Sequence, residues 1–285
     1  MKWKPILATL GLIALSFAGA NSQDRPETAE NYFLAGMRKV KEADQNLLLP
    51  AKWQELNLEA AGFFGQALKL EPTNVKFLLA RAKALNAGGK QREAISDLNQ
   101  VIDIKPDELE AYFERALAHS DLEDATAALE DYNTAVKIRP KSPEPYLQRG
   151  FHYEVAGQNA SALEDYNRAL SLDPQSIEGV RRRSSLYAGM KKYDLAISDL
   201  TVLIRIDPEP FTAYLYRAEM YGDTKRYTLA IADLTALLKL RPDAAGALEE
   251  RARYYRLVGK PALASKDEAA AKAIRKRQAT SSSNP

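Results

Sequence analysis

The sequence of 285 residues contains no cysteine, which excludes disulfide frameworks, thiolate metal sites and cysteine nucleophiles. It also has almost no net charge, since 40 Lys and Arg stand against 38 Asp and Glu. Lys2 and Lys4 belong to a leader-like segment, and without them the chain is formally neutral. A protein that binds nucleic acid usually carries a clear basic excess, so no nucleic-acid partner is expected.

Residues with catalytic chemistry are equally scarce. The two histidines, His119 and His152, have no partner at i+3 or i+4 that would make a metal-binding pair. The sequence GGK at residues 88–90 lacks the first glycine and the Ser or Thr of a phosphate-binding loop. No serine elbow or metalloprotease helix is present. We therefore predict no catalytic, cofactor-binding or metal site, and no enzyme.

The first twenty residues differ from the rest of the chain. A basic start, MKWK, precedes the apolar segment PILATLGLIALSF and the small residues Ala18, Gly19 and Ala20. This pattern is typical of a signal peptide, residues 1–20, cleaved after Ala20. The alternative is an uncleaved membrane anchor, for which the apolar segment is short. We expect an exported protein, periplasmic or secreted and of bacterial origin, with membrane contact only through an uncleaved leader; a secreted eukaryotic protein is the other reading.

Proline marks the main body of the chain at a fixed interval. Six prolines stand 34 residues apart, and each follows two amphipathic patterns of about a dozen residues that are joined by a turn. A helix cannot continue through proline, so each block reads as helix, turn, helix and stop. The sequence therefore predicts an all-α array of repeats. The prolines are Pro72, Pro106, Pro140, Pro174, Pro208 and Pro242.

With these prolines counted as position 32, the repeats resemble the tetratricopeptide repeat family, whose period has the same length. Position 8 is small and position 20 is alanine in every regular repeat, because two helices approach closely only where neither carries a large side chain. Bulky residues at positions 11 and 24 fill the remaining space. The resemblance implies an α-solenoid of about seven repeats in a right-handed superhelix. Position 20 is Ala94, Ala128, Ala162, Ala196, Ala230 and Ala264.

The repeats set the domain boundaries. A polar linker (21–28) precedes a solenoid at 29–277, and a disordered tail (278–285) follows. The first repeat is irregular because a 12-residue insertion around QNLLLPAKW is expected to enlarge its inter-helix loop. Its Leu47, Leu48, Leu49 and Trp53 either fold back over the first helix pair or form a partner-docking corner. The units are an irregular repeat at 29–74, regular repeats at 75–108, 109–142, 143–176, 177–210 and 211–244, and a polar capping repeat at 245–277.

Two charged positions recur in all six of the later repeats. Position 7 is arginine and position 23 is aspartate, and an antiparallel hairpin brings them to similar heights. Arginine binds a carboxylate through two parallel hydrogen bonds, so we predict a structural ladder of ion pairs, within or between repeats. A repeated ligand-binding arginine is the alternative. The ladder residues are Arg81, Arg115, Arg149, Arg183, Arg217 and Arg251 with Asp97, Asp131, Asp165, Asp199, Asp233 and Asp267.

The resemblance also implies a binding groove. In the family, the first helices of the repeats line a concave groove, into which positions 2, 5, 9, 12 and 13 point. In the middle of this chain these positions imply an apolar floor and an acidic rim, suited to a protein segment with apolar residues and flanking Lys or Arg. Alternatively, the same side chains pack against neighbouring repeats. The floor is Phe113, Leu117, Leu147 and Phe151, and the rim is Glu110, Glu144, Glu154 and Glu178.

The function that follows is a non-catalytic scaffold or adaptor of the cell envelope that binds a protein or peptide partner. The fold is an analogy, so this expectation rests on the groove residues. Two alternatives stay open at this point. One is a glycan- or cell-wall-associated binding protein or accessory protein of an envelope enzyme, and the other is a structural homo-oligomer. No cofactor is expected for any of them.

Overall fold

The structure is a computed structural model that describes residues 28–281, and within that range it contains fourteen α-helices and no strand. The predicted signal peptide and its cleavage site lie outside the described residues. The first eight helices are α1 (Ala29–Gln45), α2 (Pro50–Leu70), α3 (Val75–Ala87), α4 (Gln91–Ile104), α5 (Leu109–Asp121), α6 (Ala125–Ile138), α7 (Pro143–Val155) and α8 (Asn159–Leu172). They are followed by α9 (Ile177–Gly189), α10 (Tyr193–Ile206), α11 (Phe211–Asp223), α12 (Tyr227–Leu240), α13 (Ala245–Leu257) and α14 (Pro261–Ser281).

The helices pair into seven antiparallel hairpins that stack in chain order as a right-handed α-solenoid. Each helix packs on the helix before it and the helix after it. The odd-numbered helices of adjacent repeats also meet, as α3 meets α5 and α7 meets α9. The odd-numbered helices therefore form the inner surface of the superhelix, and the even-numbered helices form its outer layer.

Small residues allow the helices of each hairpin to approach closely. All six alanines at position 20 are fully buried. At position 8 of the fourth repeat, a Cβ on Gly150 would lie 2.8 Å from Cε1 of Tyr166, so even alanine is too large there. Tyr166, at position 24, is itself fully buried. The predicted pairing of small and bulky positions is confirmed, and it builds the core without a disulfide.

The turn inside each regular repeat uses one left-handed residue. Position 15 has a positive φ in all six repeats, which places the carbonyl groups at the end of the first helix within reach of the turn amides. Glycine adopts this conformation without steric cost, whereas other residues are strained by about 1 kcal/mol. The residues are Gly89, Gly157 and Gly259, and the non-glycine residues Glu123, Lys191 and Lys225.

The first repeat differs from its prediction. The insertion does not enlarge the loop; it lengthens both helices, and residues 46–49 alone separate α1 from α2. The inserted residues continue the amphipathic patterns, so that Ala43 and Leu56 are fully buried. Leu48 is 90% exposed and Leu49 is 58% exposed at the tip of this long hairpin. The fold-back interpretation of these leucines is therefore wrong.

The last helix also runs further than predicted. Helix α14 continues through residues 278–281, which the sequence had placed in the tail, because alanine, lysine, arginine and glutamine favour helix. Residues 282–285 lie outside the described range. Within residues 28–281, no helix combines the length and apolar character that a bilayer crossing requires.

Candidate functional site

The charged ladder is built inside each repeat. Each position-7 arginine donates from Nε and Nη2 to the two carboxylate oxygens of the aspartate 16 residues later, at distances of 2.6–3.0 Å. The pairing is bidentate in all six regular repeats. The aspartates are buried, and the side chains of the arginines are 15–29% exposed. The sequence left open whether the pairs form within or between repeats, and the structure places them within.

The third guanidinium nitrogen links neighbouring repeats. In five of the six repeats, Nη1 of the arginine donates to a neutral oxygen at position 25 of the preceding repeat, over 2.5–3.0 Å. This link was not predicted, although the polar residues that recur at position 25 of successive repeats were its signal. The acceptors are Asn99, Asn133, Asn167, Thr201 and Thr235.

The electrostatics of the ladder fit a structural role. Hydrogen bonds to Asp165 raise the pKa of Arg149 further above its ordinary value, although burial opposes this shift. The ring of Tyr153 lies 5.9 Å from the same guanidinium and that of Tyr146 lies 6.0 Å from it. All three guanidinium nitrogens of Arg149 therefore donate to oxygens of the protein, which favours a structural role over ligand binding.

The predicted apolar floor lies on the inner helices α5 and α7. Phe113 and Leu147 are partly buried and pack on core clusters, Phe113 with its ring centre 6.4 Å from that of Tyr132. Leu117, one turn beyond Phe113, is 37% exposed. The guanidinium of Arg182, from the next inner helix, lies 4.1 Å from the ring centre of Phe151. The floor is thus a small apolar surface that is covered in part by an arginine.

The predicted acidic rim is largely paired. Glu110 forms a salt bridge with Lys83 of α3, and Glu178 binds both Arg181 and Arg182. Glu154 accepts a hydrogen bond of 2.5 Å from the hydroxyl of Tyr166. Glu144 is exposed and has no partner among the described residues. Two of the four rim carboxylates are therefore balanced by cations within the protein.

One further carboxylate connects α5 to α3. Asn86 donates from Nδ2 to the backbone oxygen of Glu114 over 3.1 Å and to its carboxylate over 3.3 Å. Burial is the largest influence on Glu114 and raises the pKa of its carboxyl above 4.5, while Lys83 opposes the rise. Burial also raises the pKa of the neighbouring Tyr132 hydroxyl to about 12. These two side chains are therefore more buried than Glu144 of the rim.

We expect Glu114→Gln to stabilise the protein at neutral pH. An acid whose pKa is raised by folding weakens the fold as the pH rises from its unfolded value, 4.5, through its folded value. Glutamine keeps the acceptor for Asn86 and removes that cost, so the gain in stability should disappear below about pH 4. Urea unfolding at pH 4 and pH 7 measures it, with Glu144→Gln as the exposed control. A gain of equal size at both pH values would contradict this account.

The two histidines lie on the inner helices α5 and α7. His119 is half-buried with its Nδ1 4.0 Å from Asp124, and the His152 ring lies 5.3 Å from that of Tyr132. Burial lowers the pKa of His152 below its ordinary value. Across residues 28–281, no group of three or more His, Cys, Asp or Glu side chains is arranged to hold a metal ion. Both histidines are packing residues in this fold.

Comparison with solved structures supports the solenoid architecture. A tetratricopeptide repeat protein from Parabacteroides merdae is 19% identical, with a TM-score of 0.52 over 86% of this chain and 93% of that one. MamA from Desulfovibrio magneticus is 16% identical, with a TM-score of 0.52 over 60% of this chain and 96% of that one. At this identity the likeness concerns the fold alone. Comparison with curated proteins gives no match.

A family model identifies the repeats directly. The tetratricopeptide repeat model matches residues 79–143, 113–177 and 181–245, which together are more than half of the chain. These ranges contain the position-20 alanines and the left-handed turns of the middle repeats, so the match and the geometry describe the same units. The chain belongs to the tetratricopeptide repeat family.

Proposed function

We propose that the protein is a non-catalytic interaction scaffold whose inner surface binds a segment of a partner protein. The observation that carries this proposal is the apolar surface formed by the exposed Leu117 and the partly buried Phe151, on adjacent inner helices and edged by charged side chains. Membership of the tetratricopeptide repeat family supports it. Apolar surface with a polar edge is the usual form of a protein-binding site.

The partner we propose is an apolar segment with little net charge. Because Glu110 and Glu178 already pair with Lys83 and with two arginines, a strongly basic partner would have to break these pairs. Glu144 offers one carboxylate for a single Lys or Arg beside the apolar residues. An affinity near micromolar, about −8 kcal/mol, is the strength we expect of such a surface.

We also propose that the scaffold acts in the cell envelope or outside the cell. This part rests on the leader-like pattern of residues 1–20, with its basic start, apolar segment and small residues before position 21. The exported chain should then begin at Asn21, which N-terminal sequencing of the native protein measures. Finding Met1 at the start of the membrane-associated protein would favour an anchor instead.

We expect Leu117→Ser to abolish partner capture at an almost unchanged melting temperature. Leu117 is 37% exposed, so serine removes apolar contact area from the surface and leaves the core filled. Affinity capture from the envelope fraction, with the chain from Asn21 as bait, measures the loss. Leu195→Ser, at a 47% exposed position on the outer helix α10, is the matched control and should retain the partners. Equal capture by both variants would contradict an inner binding surface.

A further inference from the structure

Each rung of the arginine ladder consists of one arginine, its aspartate and an acceptor oxygen from the preceding repeat. The first rung, at Arg81, lacks that acceptor. For the five later arginines, position 25 of the preceding repeat is Asn or Thr. For Arg81 this position is Gly65, 34 residues before Asn99, and glycine has no side-chain acceptor. Nε and Nη2 of Arg81 hold Asp97, whereas its Nη1 has no partner among the described residues. The side chain of Arg81 is accordingly 29% exposed, against 15–23% for the other five. One hydrogen-bond donor of the ladder is left open to the outside.

The open donor lies in a trough between the outer helices α2 and α4. Two adjoining clefts, of about 510 and 360 Å³, share Gly62, Arg81 and Gln100 in their walls. A Cβ on Gly62 would meet no atom within 4 Å, so the two glycines of α2 make the space. The trough lies in the outer layer, away from the inner surface on which the proposed function rests.

Each end of the trough has one accessible apolar residue among polar and charged ones. Leu58 lines one cleft together with Lys90 and Glu93, and the exposed Pro72 lines the other together with Lys69. The other apolar residues of the walls are buried in the core. Leu58 is 37% exposed and gives the first cleft an accessible aliphatic wall. Along the direction of α2, the trough therefore presents the apolar side chain of Leu58, a hydrogen-bond donor and the apolar ring of Pro72.

The other rungs show which acceptor the donor takes. In all five, Nη1 binds a neutral amide or hydroxyl oxygen and never a carboxylate. The reason is electrostatic: the charge of each arginine is already balanced by its own aspartate, so a second anion would add repulsion. The same balance holds at Arg81, which Asp97 binds through both carboxylate oxygens.

We propose that this trough is a second binding site, for a peptide segment of a partner protein that carries a neutral Asn or Gln between two apolar residues. The amide oxygen of the segment completes the rung at Arg81 Nη1, and its apolar side chains occupy the clefts on either side. Gly62 and Gly65 let the segment lie directly against α2. The site is independent of the inner surface, and its failure would leave the proposed function untouched.

The test uses blocked tripeptides and the full chain. Acetyl-Leu-Asn-Leu-N-methylamide is titrated while the Arg81 Nε–H signal is followed by NMR, with Arg81→Lys to assign that signal. We expect a saturable shift that is at least about tenfold weaker for the Leu-Ala-Leu peptide, which lacks the acceptor. Gly65→Asn should abolish the shift, because a Cβ at this position lies 3.7 Å from Nη1 and its amide oxygen can complete the rung internally.

Gly65→Ala is the matched control, because it adds a Cβ and helix propensity without an acceptor. Gly65→Ala should bind the Asn peptide with an affinity within a few-fold of that of the wild type, whereas Gly65→Asn should not bind it. Gly65→Asn should also be more stable than Gly65→Ala. The proposal is overturned if the Asn peptide leaves the Arg81 signal unmoved, or if it binds Gly65→Asn equally well. Tighter binding of the Leu-Asp-Leu peptide would also overturn it, since the site would then select an anion.

Discussion

Arg149→Met is expected to lower the free energy of unfolding by about 3–5 kcal/mol, because it leaves the carboxylate of Asp165 buried and unpaired. Asp165 is 4% exposed and accepts hydrogen bonds of 2.8 and 2.7 Å from Arg149. The variant also removes the hydrogen bond of 2.7 Å to Asn133 of the preceding repeat. Urea unfolding of the purified chain measures the loss.

Two comparisons separate the buried pair from a general charge effect. Arg181→Met removes an exposed arginine from an i,i+3 pair with Glu178 and should cost no more than about 1 kcal/mol. In a double-mutant cycle, Arg149→Met combined with Asp165→Asn should cost clearly less than the sum of the single changes. Additive losses would show that the two side chains do not interact.

Phe64→Ala should cost about 3–5 kcal/mol, because it opens a cavity in the first repeat. Phe64 is fully buried, and its ring centre lies 5.4 Å from that of Phe33. The neighbouring Phe63 is partly exposed, so Phe63→Ala should cost considerably less. Thermal and urea unfolding of the two variants measure the difference.

Gly36→Ala should have opposite effects on stability in the wild type and in the Phe64→Ala variant. In the wild type, a Cβ on Gly36 would lie 2.4 Å from Cε1 of Phe64, so Gly36→Ala should destabilise the protein. In Phe64→Ala the ring is gone, and alanine should then stabilise helix α1 by about 0.5–1 kcal/mol relative to glycine. The same cost in both backgrounds would mean that the two helices do not meet as described.

The repeat architecture was predictable because its determinants are local and recur. A proline ends each of the first six hairpins, and an alanine at position 20 sets each helix crossing, so the helix pairs follow from spacing. The separation of 16 residues predicted that Arg149 and Asp165 could pair. Whether the pair forms within one repeat or between two depends on the rotation of each helix about its axis. Asn133 could not be predicted as the acceptor in the preceding repeat, because this contact depends on the angle between successive hairpins, which the sequence pattern does not give.

The candidate site was less predictable, because exposure depends on neighbouring helices. Phe113 and Leu147 share position 5, yet both pack on core clusters, whereas Leu117 stays accessible. Arg182 covers Phe151 from α9, the next inner helix, and the sequence of the repeat that contains Phe151 does not reveal this contact. The exposure of Leu48 had a similar cause: once the insertion extended both helices, the tip lay beyond any surface that could cover it.

The inter-repeat hydrogen bonds determine which repeats can be duplicated without leaving a donor unpaired. Each described one runs from an arginine back to the preceding repeat, so copying one whole interior repeat supplies both a donor and an acceptor. The two ends do not obey this rule. Arg81 follows Gly65, and the last repeat carries Ala269 where the next arginine would need its acceptor. Duplicating or deleting one interior repeat should therefore keep every inter-repeat bond, whereas a regular repeat added after α14 would place its arginine opposite Ala269, which offers no side-chain acceptor.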